Sequence, residues 1–180
     1  MLDVQALGAL LRTAQADLFR LETLDWYEVP SDGGDFRRYL AGEPAPDPAR
    51  KATWHDRLRA ERERGLYRQR VYIAREPLSD YARFECEWGH ALNAALEDIR
   101  VLPLARVPAG VDLADWWMID GRDVVLMHYE DGGRFTGAQM AAPGETARYL
   151  AARAAAWDAA VPFTAWWDAH PQYHRHVTVA

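Results

Sequence analysis

Several polar side chains stand where an α/β protein usually binds its ligands, at the ends of strands and the starts of helices. One group follows a β-like stretch and opens a helical one, and a second lies in a later β-rich stretch that could face the same crevice. A histidine beside carboxylates can perform general acid–base chemistry. No recognised catalytic spacing accompanies it, so a structural ion-pair network is the favoured interpretation and we predict no catalytic residue. The candidate ligand-binding residues are Arg70, Asp80, Tyr81, Arg83, Glu85, Asp120, His128 and Tyr129.

A second candidate site is a basic segment, residues 50–70, which contains eight basic and three acidic side chains. A run of this charge could track a phosphate backbone. The favoured alternative is a solvated helix with pairs such as Glu61 with Arg57 and Arg64, and an acidic partner protein would use the same surface. The residues of this predicted basic patch are Arg57, Arg59, Arg62, Arg64 and Arg68.

Three histidines near the end of the chain, His170, His174 and His176, suggest a metal site. Two imidazoles four residues apart can share a metal on a helix, but Pro171 permits this only if it opens that helix. No carboxylate or thiol follows at ligand spacing. We therefore predict a flexible tail over 169–180, with no metal and no cofactor.

Composition bounds the class of protein. The 180 residues suit one domain, and the net charge of −6 argues against a surface that binds nucleic acid everywhere. The single cysteine, Cys86, excludes an intramolecular disulfide, and its two glutamate neighbours indicate a buried structural thiol. No signal peptide or membrane span is visible, so we expect a cytoplasmic protein that does not bind membranes.

Hydrophobic periodicity predicts a mixed β-sheet with packed helices, an α/β (α+β) fold. A helix capped by Asp3 should reach Leu21, and a long loop from Val29 to Pro48 should contain one helical turn at 36–40. We expect one domain: residues 1–50 as a helix and loop docked on the rest, 53–168 as the core and 169–180 as the tail. The other predicted elements are a helix from Thr53 to Gly65, a strand from Tyr67 to Arg75, a helix from Ser79 to Glu97, strands at 99–104, 116–119, 124–129 and 134–140, and a helix opened by Pro143.

Short motifs spread over most of the chain resemble an uncharacterised family of actinobacterial proteins. They include Arg70-Val71-Tyr72-Ile73, Asp80 to Glu85, Asp115 to Asp120 and Ala156 to Ala160. Members of that family are often encoded beside small helix-turn-helix regulators. The resemblance implies no activity, but it makes a transcriptional regulator, or another protein, a candidate partner.

The order of elements also resembles the phospholipase D-like half-domain, in which a β meander carries the motif H-x-K-x-x-x-x-D-G. Aligning Asp120-Gly121 with the end of that motif places Leu113 at the nucleophilic histidine and Asp115 at the lysine. Neither can attack a phosphoryl group or stabilise its oxygens. The resemblance therefore implies the fold without the chemistry.

These observations favour a non-enzymatic regulatory or partner-binding protein on a catalytically silent α/β domain. One alternative is a small-molecule tailoring or transferase enzyme, which a deep pocket joining Arg70, Tyr81, Arg83, Glu85 and His128 would favour. Another is nucleic-acid binding through residues 50–70. The aromatic residues Phe163, Trp166 and Trp167 are expected to lie in the core or to form an oligomer contact.

Overall fold

A seven-stranded mixed sheet forms the centre of the computed structural model, which describes residues 1–29 and 32–175. Three strands, β1, β2 and β3, run parallel, a β meander of β4, β5 and β6 extends the sheet on the β1 side, and β7 closes the opposite edge. The predicted fold class, a mixed sheet with packed helices, is confirmed. The strands are β1 Asp17–Glu22, β2 Tyr67–Ala74, β3 Asp98–Pro103, β4 Trp116–Ile119, β5 Asp123–Tyr129, β6 Phe135–Met140 and β7 Val161–Pro162.

Helices cover both faces of this sheet, and none in the described ranges is long and apolar enough to cross a membrane. The helix between β2 and β3 begins at Ser79, whose hydroxyl accepts a hydrogen bond from the amide of Ala82 at 3.1 Å, and it contains a π-helical turn. The helices are α1 Val4–Leu11, α2 Gly33–Leu40, α3 Pro48–Glu63, α4 Asp80–Phe84, the π-helix Glu85–His90, α5 Ala91–Asn93, α6 Thr146–Ala159 and α7 Phe163–Asp168, with short 3₁₀ turns at Leu104–Arg106 and Pro171–Tyr173.

One face of the sheet is a continuous apolar layer that packs against α6. Because side chains alternate along a strand, Phe19 and Leu21 of β1 point to this face together with Val71 and Ile73 of β2. The opposing helix contributes a stripe of Tyr149, Ala152 and Ala156, whose small alanines allow close approach. This layer is the main core of the protein.

The opposite face is apolar only at its two ends. One end packs Leu18 and Ile119 against α1, and the other packs Tyr72 and Val101 against the helix after β2 and against α7. Between them runs what we call the charged stripe: Arg20 and Glu22 of β1, and Arg68 and Arg70 of β2. Arg20 is paired in register with Arg70 on one side and with Trp117 on the other.

The strand β1 corrects the prediction that the first helix continues to Leu21. The helix ends at Leu11, and the carboxylate of Asp120 then accepts hydrogen bonds from the amides of residues 15, 16 and 17 at 2.8–3.1 Å. These contacts align the chain beside β4. The leucines at 18 and 21 fit a helical spacing by coincidence, while Phe19, Arg20, Leu21 and Glu22 alternate as a strand requires.

Two further boundaries differ from the prediction. The charged helix α3 begins at Pro48, well before Thr53, because Asp47 caps it by accepting from the amide of Ala49 at 2.9 Å and proline is favoured in the first turn. The predicted loop contains the full helix α2, and the final helix α6 begins at Thr146, a few residues after Pro143. Pro30 and Ser31, part of that predicted loop, lie outside the described residues.

The predicted flexible tail is wrong for residues 169–175. Tyr173 is buried against α7, and the guanidinium of Arg175 lies 3.2 Å from Glu87 and 3.7 Å from the centre of the Tyr39 ring. This stretch packs because aromatic rings receive it: His170 stacks on Trp166 at 4.3 Å. The remaining tail residues, His176 among them, lie outside the described part of the chain.

We expect Leu21→Ala to lower the free energy of unfolding by about 2–5 kcal/mol, because it opens a cavity in the layer beneath α6. Leu150→Ala, on the exposed side of α6, removes the same atoms and should cost less than about 1 kcal/mol. Urea denaturation of both variants measures the difference. Equal losses would contradict the placement of Leu21 inside the sheet.

Candidate functional site

A central cavity of about 870 Å³ lies over the charged stripe. The sheet forms its floor, and its walls come from α2, α3, the helix after β2 and the loop after β1. This volume falls within the range of small-molecule binding sites, roughly 300–1,000 Å³. The lining residues are Arg20, Glu22, Tyr27, Val29, Asp32, Asp35, Arg50, Lys51, Thr53, Trp54, Arg57, Arg70, Tyr81, Glu85, Trp88, Gly89, Asn93, Trp117 and Tyr129.

Arg20 is the most deeply placed cation of the floor, with 3% of its surface exposed. Its Nη2 donates hydrogen bonds to Asp115 Oδ2 at 2.7 Å and to the hydroxyl of Tyr129 at 3.0 Å. Asp115 in turn accepts from the hydroxyls of Thr23 at 2.6 Å and Tyr27 at 2.7 Å. This buried carboxylate therefore fixes both the arginine and the loop that leaves β1.

Glu22 links Arg20 to Arg70 across neighbouring strands. Its Oε1 lies 3.5 Å from Arg20 Nε and also accepts a hydrogen bond from Arg70, whose Nε donates to Glu97 at 2.9 Å. Burial alone would raise the pKa of Glu22, but the charges of Arg70 and Arg20 outweigh it and lower that pKa to about 2. The floor is thus a chain of ionised pairs.

A π-helical turn supplies one wall of the central cavity. π-Helical turns are rare and occur often at functional sites. This one places Glu85, Trp88 and Gly89 along the cavity. A side chain at position 89 would meet Glu85 Oε2 at 3.2 Å, so the glycine leaves room for the carboxyl group to fold against the helix.

Glu85 differs from the other charged residues that line the cavity. Within the described part of the chain it forms neither a hydrogen bond nor an ion pair, whereas each lining cation has a carboxylate partner. Burial raises the pKa of Glu85 to about 8, and the negative charges of Asp32 and Glu22 add to that effect. Its carboxyl group is therefore largely protonated at neutral pH.

Aromatic side chains complete the walls. Trp54 of α3 lies between two cations, with the guanidinium of Arg57 at 5.6 Å and that of Arg68 at 5.2 Å from its ring centre. Burial raises the pKa of the Tyr81 and Tyr27 hydroxyls, which therefore stay protonated, and the hydroxyl of Tyr27 donates a hydrogen bond to Asp115. The cavity thus combines fixed charges with neutral aromatic surface.

Four of the eight predicted ligand-binding residues meet in this cavity: Arg70, Tyr81, Glu85 and Tyr129. The other four lie elsewhere. Asp120 holds the backbone before β1, the exposed Asp80 stands in the first turn of α4, the guanidinium of Arg83 lies 5.7 Å from the centre of the Tyr173 ring, and the half-buried His128 is on β5 beside Gly137.

The predicted basic patch does not form one unpaired surface. Glu61 accepts hydrogen bonds from both Arg57, at 2.8 Å, and the buried Arg68, and Asp56 pairs with Arg59 at 2.5 Å. Arg62 donates to the carbonyl of residue 95, and Arg64 is exposed at the end of α3. The pairing of Glu61 with Arg57 agrees with the solvated-helix interpretation, but its second partner is Arg68 and not Arg64.

Several residues of the cavity were missed from the sequence because their strand or partner was not recognised. Arg20 and Glu22 fell within a predicted helix, although their alternation with Phe19 and Leu21 was a signal for a strand. Asp115 was considered only as the residue that replaces a lysine in the phospholipase D-like motif. The structure assigns Asp115 a structural role, while Leu113 is exposed.

The described histidines of the tail face aromatic rings and backbone carbonyls. His170 Nδ1 lies 2.6 Å from the carbonyl oxygen of Trp166, and His174 Nε2 lies 2.9 Å from that of Trp167. Across residues 1–29 and 32–175, no three histidine, cysteine, aspartate or glutamate side chains gather as metal ligands. Cys86 is buried as predicted, and burial with the nearby Glu85 raises the pKa of its thiol.

Comparison with known proteins gives one family. The family described as "Domain of unknown function (DUF6879)" matches residues 5–168, which is most of the chain. The comparison with curated proteins finds no match. Similarity to a family without an assigned function was predicted from the motifs, and the phospholipase D-like resemblance stays a prediction.

We expect Asp115→Asn to lower the free energy of unfolding by about 3–5 kcal/mol, because it leaves the buried Arg20 with only the more distant carboxylate of Glu22, 3.5 Å from its Nε. Asp112→Asn is the matched control: its exposed pair with Arg148 at 3.2 Å should contribute no more than about 1 kcal/mol. Chemical denaturation at pH 7 compares them. A small loss in Asp115→Asn would contradict a structural role for this pair.

We expect Glu85→Gln to stabilise the protein increasingly as the pH rises. The folded pKa of about 8 lies above the ordinary value of 4.5, so the contribution of Glu85 is full below pH 4.5 and is lost as the pH rises through 8. Glutamine resembles the protonated acid at every pH. The gain over wild type should be at least about 2 kcal/mol larger at pH 8 than at pH 5.

Urea unfolding at the two pH values measures this gain, with Glu63→Gln at the exposed end of α3 as the control. A gain that does not change between pH 5 and pH 8 would show that Glu85 titrates as an ordinary surface carboxylate.

Proposed function

We propose that this chain, which belongs to the family described as "Domain of unknown function (DUF6879)", is a non-enzymatic receptor for a small polar molecule bound in the central cavity. The observation that carries the proposal is the position of the charged stripe. It occupies the middle of the sheet, where a helix would otherwise pack, and a cavity of about 870 Å³ lies above it.

Stability alone does not require this arrangement. Replacing buried ion pairs with well-packed apolar residues is often neutral or stabilising, because ions lose hydration on burial. The other face of the same sheet is covered by apolar packing instead, with Phe19, Leu21, Val71 and Ile73 under α6. Charged groups held in fixed positions around a cavity are, in contrast, the usual means of orienting a ligand.

The chemistry of the walls supports binding more than catalysis. Arg20 and Arg70 are each held by two carboxylates, and the phenols of Tyr27 and Tyr81 stay protonated. A nucleophile needs a lowered pKa or an adjacent base, and the thiol of Cys86 has neither. These groups suit hydrogen bonding to a ligand that leaves unchanged.

A regulatory role follows if a ligand bound in the cavity changes a surface to which a partner protein binds. Asp35 of α2 is 1% exposed and lies 2.6 Å from Arg50 and 3.3 Å from Lys51 of α3. All three line the cavity, so a bound ligand would lie beside both helices at once. The resemblance to proteins encoded beside regulators makes a transcriptional regulator the candidate partner. Nucleic-acid binding through residues 50–70 and oligomer formation through the aromatic C-terminal region stay predictions.

We expect Thr53→Trp to abolish ligand binding or to weaken it at least about tenfold, because an indole at this lining position occupies the cavity. Ala52→Trp adds the same side chain at the neighbouring exposed position of α3, outside the lining, and should bind normally. Saturation-transfer NMR with a library of small metabolites measures binding to wild type and both variants.

Ligands that bind wild type and Ala52→Trp but not Thr53→Trp would support the proposal. A library in which no ligand distinguishes Thr53→Trp from wild type would contradict it. Conversion of a bound library member into a product would instead favour the tailoring or transferase enzyme.

A further inference from the structure

We infer that the ligand of the central cavity carries a positively charged nitrogen that pairs with Glu85 and lies against the aromatic wall formed by Tyr81 and Trp88. This inference deepens the proposed function and rests on it. It concerns the chemical class of the ligand.

The first reason is the pairing of charges around the cavity. The lining cations Arg20, Arg50, Lys51, Arg57 and Arg70 each have a carboxylate within 3.5 Å, so their charges are already balanced, although Nε and Nη1 of Arg20 are buried without a hydrogen-bond partner among the described residues. Among the lining groups, Glu85 is the carboxyl group that has neither an ion pair nor a hydrogen bond within the described residues. The site therefore offers an acceptor for a cation.

The second reason is the geometry of the wall. Tyr81 precedes Glu85 by four residues and Trp88 follows it by three, so the three side chains share one face of the helix. All three line the cavity, and Tyr81 and Trp88 are 4% and 2% exposed. Their rings already pack against neighbours such as Trp26 and Arg175, so they supply an apolar wall, and a ligand whose ammonium group pairs with Glu85 would place its apolar part against this wall.

The third reason is the electrostatic surroundings of Glu85. Asp32 and Glu22 act on it with negative charge, and Arg70 and Lys51 act with positive charge. Burial is the largest cause that raises its pKa to about 8, and the negative charges come next. Burial favours the neutral acid only, whereas the charges of Asp32 and Glu22 also favour a cation at this position.

Binding of such a ligand must therefore exchange one cation for another. The ligand arrives with its nitrogen protonated, Glu85 releases its proton to solvent, and the resulting carboxylate pairs with the ammonium group. No covalent bond forms or breaks. At pH 6.5, well below the pKa of Glu85, the exchange should release about one proton per ligand, and affinity should rise with pH until Glu85 is fully ionised.

The test uses three probes with the same aromatic group and different charge: phenethylamine as the cation, 2-phenylethanol as the neutral analogue and phenylacetate as the anion. Isothermal titration calorimetry at pH 6.5 and 8.5, in buffers of different ionisation enthalpy, measures affinity and proton release. We expect phenethylamine to bind wild type more tightly than its analogues, and about twentyfold more tightly at pH 8.5 than at pH 6.5.

Glu85→Gln should lower the affinity for phenethylamine at least about tenfold at pH 8.5. It should also remove the pH dependence of that affinity and the proton release on binding. Glu63→Gln is the control and should bind as wild type does. Absence of phenethylamine binding to wild type, binding of phenylacetate or 2-phenylethanol at equal or higher affinity, or amine binding that Glu85→Gln leaves unchanged would each overturn the inference.

The outcomes also separate this inference from the proposed function. If phenylacetate or 2-phenylethanol binds wild type and Thr53→Trp prevents it, the cavity is a ligand site and only the charge of the ligand has been inferred wrongly. If Thr53→Trp leaves the binding of all three probes and of every library ligand unchanged, the proposed function fails with it.

Discussion

The buried pair between Arg20 and Asp115 holds together the parts of the structure that matter for binding. Asp115 stands just before β4 and reaches a guanidinium on β1 at 2.7 Å, so it joins the parallel half of the sheet to the β meander. The same carboxylate accepts from Tyr27 and Thr23 and thereby fixes the loop that forms one wall of the cavity. Removing one partner of such a pair leaves an uncompensated charge in the interior.

From this pair the ionic contacts continue across the sheet through Glu22 and Arg70 to Glu97. A row of ionised groups cannot be covered by an apolar helix without losing its remaining hydration, so the elements over it must leave space. Among the elements around the space, the helix after β2 meets the sheet at one of the apolar ends of this face. The cavity is thus a consequence of placing charge in the middle of a sheet face, and Glu85 closes it from the helical side.

Short sequence patterns predicted the helices, strands and turns whose signals lie within a few residues. Ser79 as a helix cap, the alternation in β2 and the turns of the meander each carry their information within a few residues, and they placed Arg70, Tyr81, Glu85 and Tyr129 near one another at strand ends and helix starts. The strand β1 was missed because its leucines also fit a helix. What decides the matter is Asp120, about a hundred residues away, which holds the amides before the strand.

The floor of the site could not be predicted for a similar reason. Asp115 and Arg20 are ninety-five positions apart, and nothing in the types of their neighbours indicates that they meet. Side chains that form one site across several elements become visible only when the register of the strands is known.

The measurement that tests this account most directly is the pKa of the Glu85 side chain in the free protein, followed by carbon-13 NMR of its carboxyl group during a pH titration. The account predicts a value near 8, since the group is partly buried, forms no ion pair within the described residues and faces Asp32 and Glu22. A midpoint near the ordinary 4.5 would show that water reaches this wall freely, and it would contradict an enclosed, charge-lined site for a ligand.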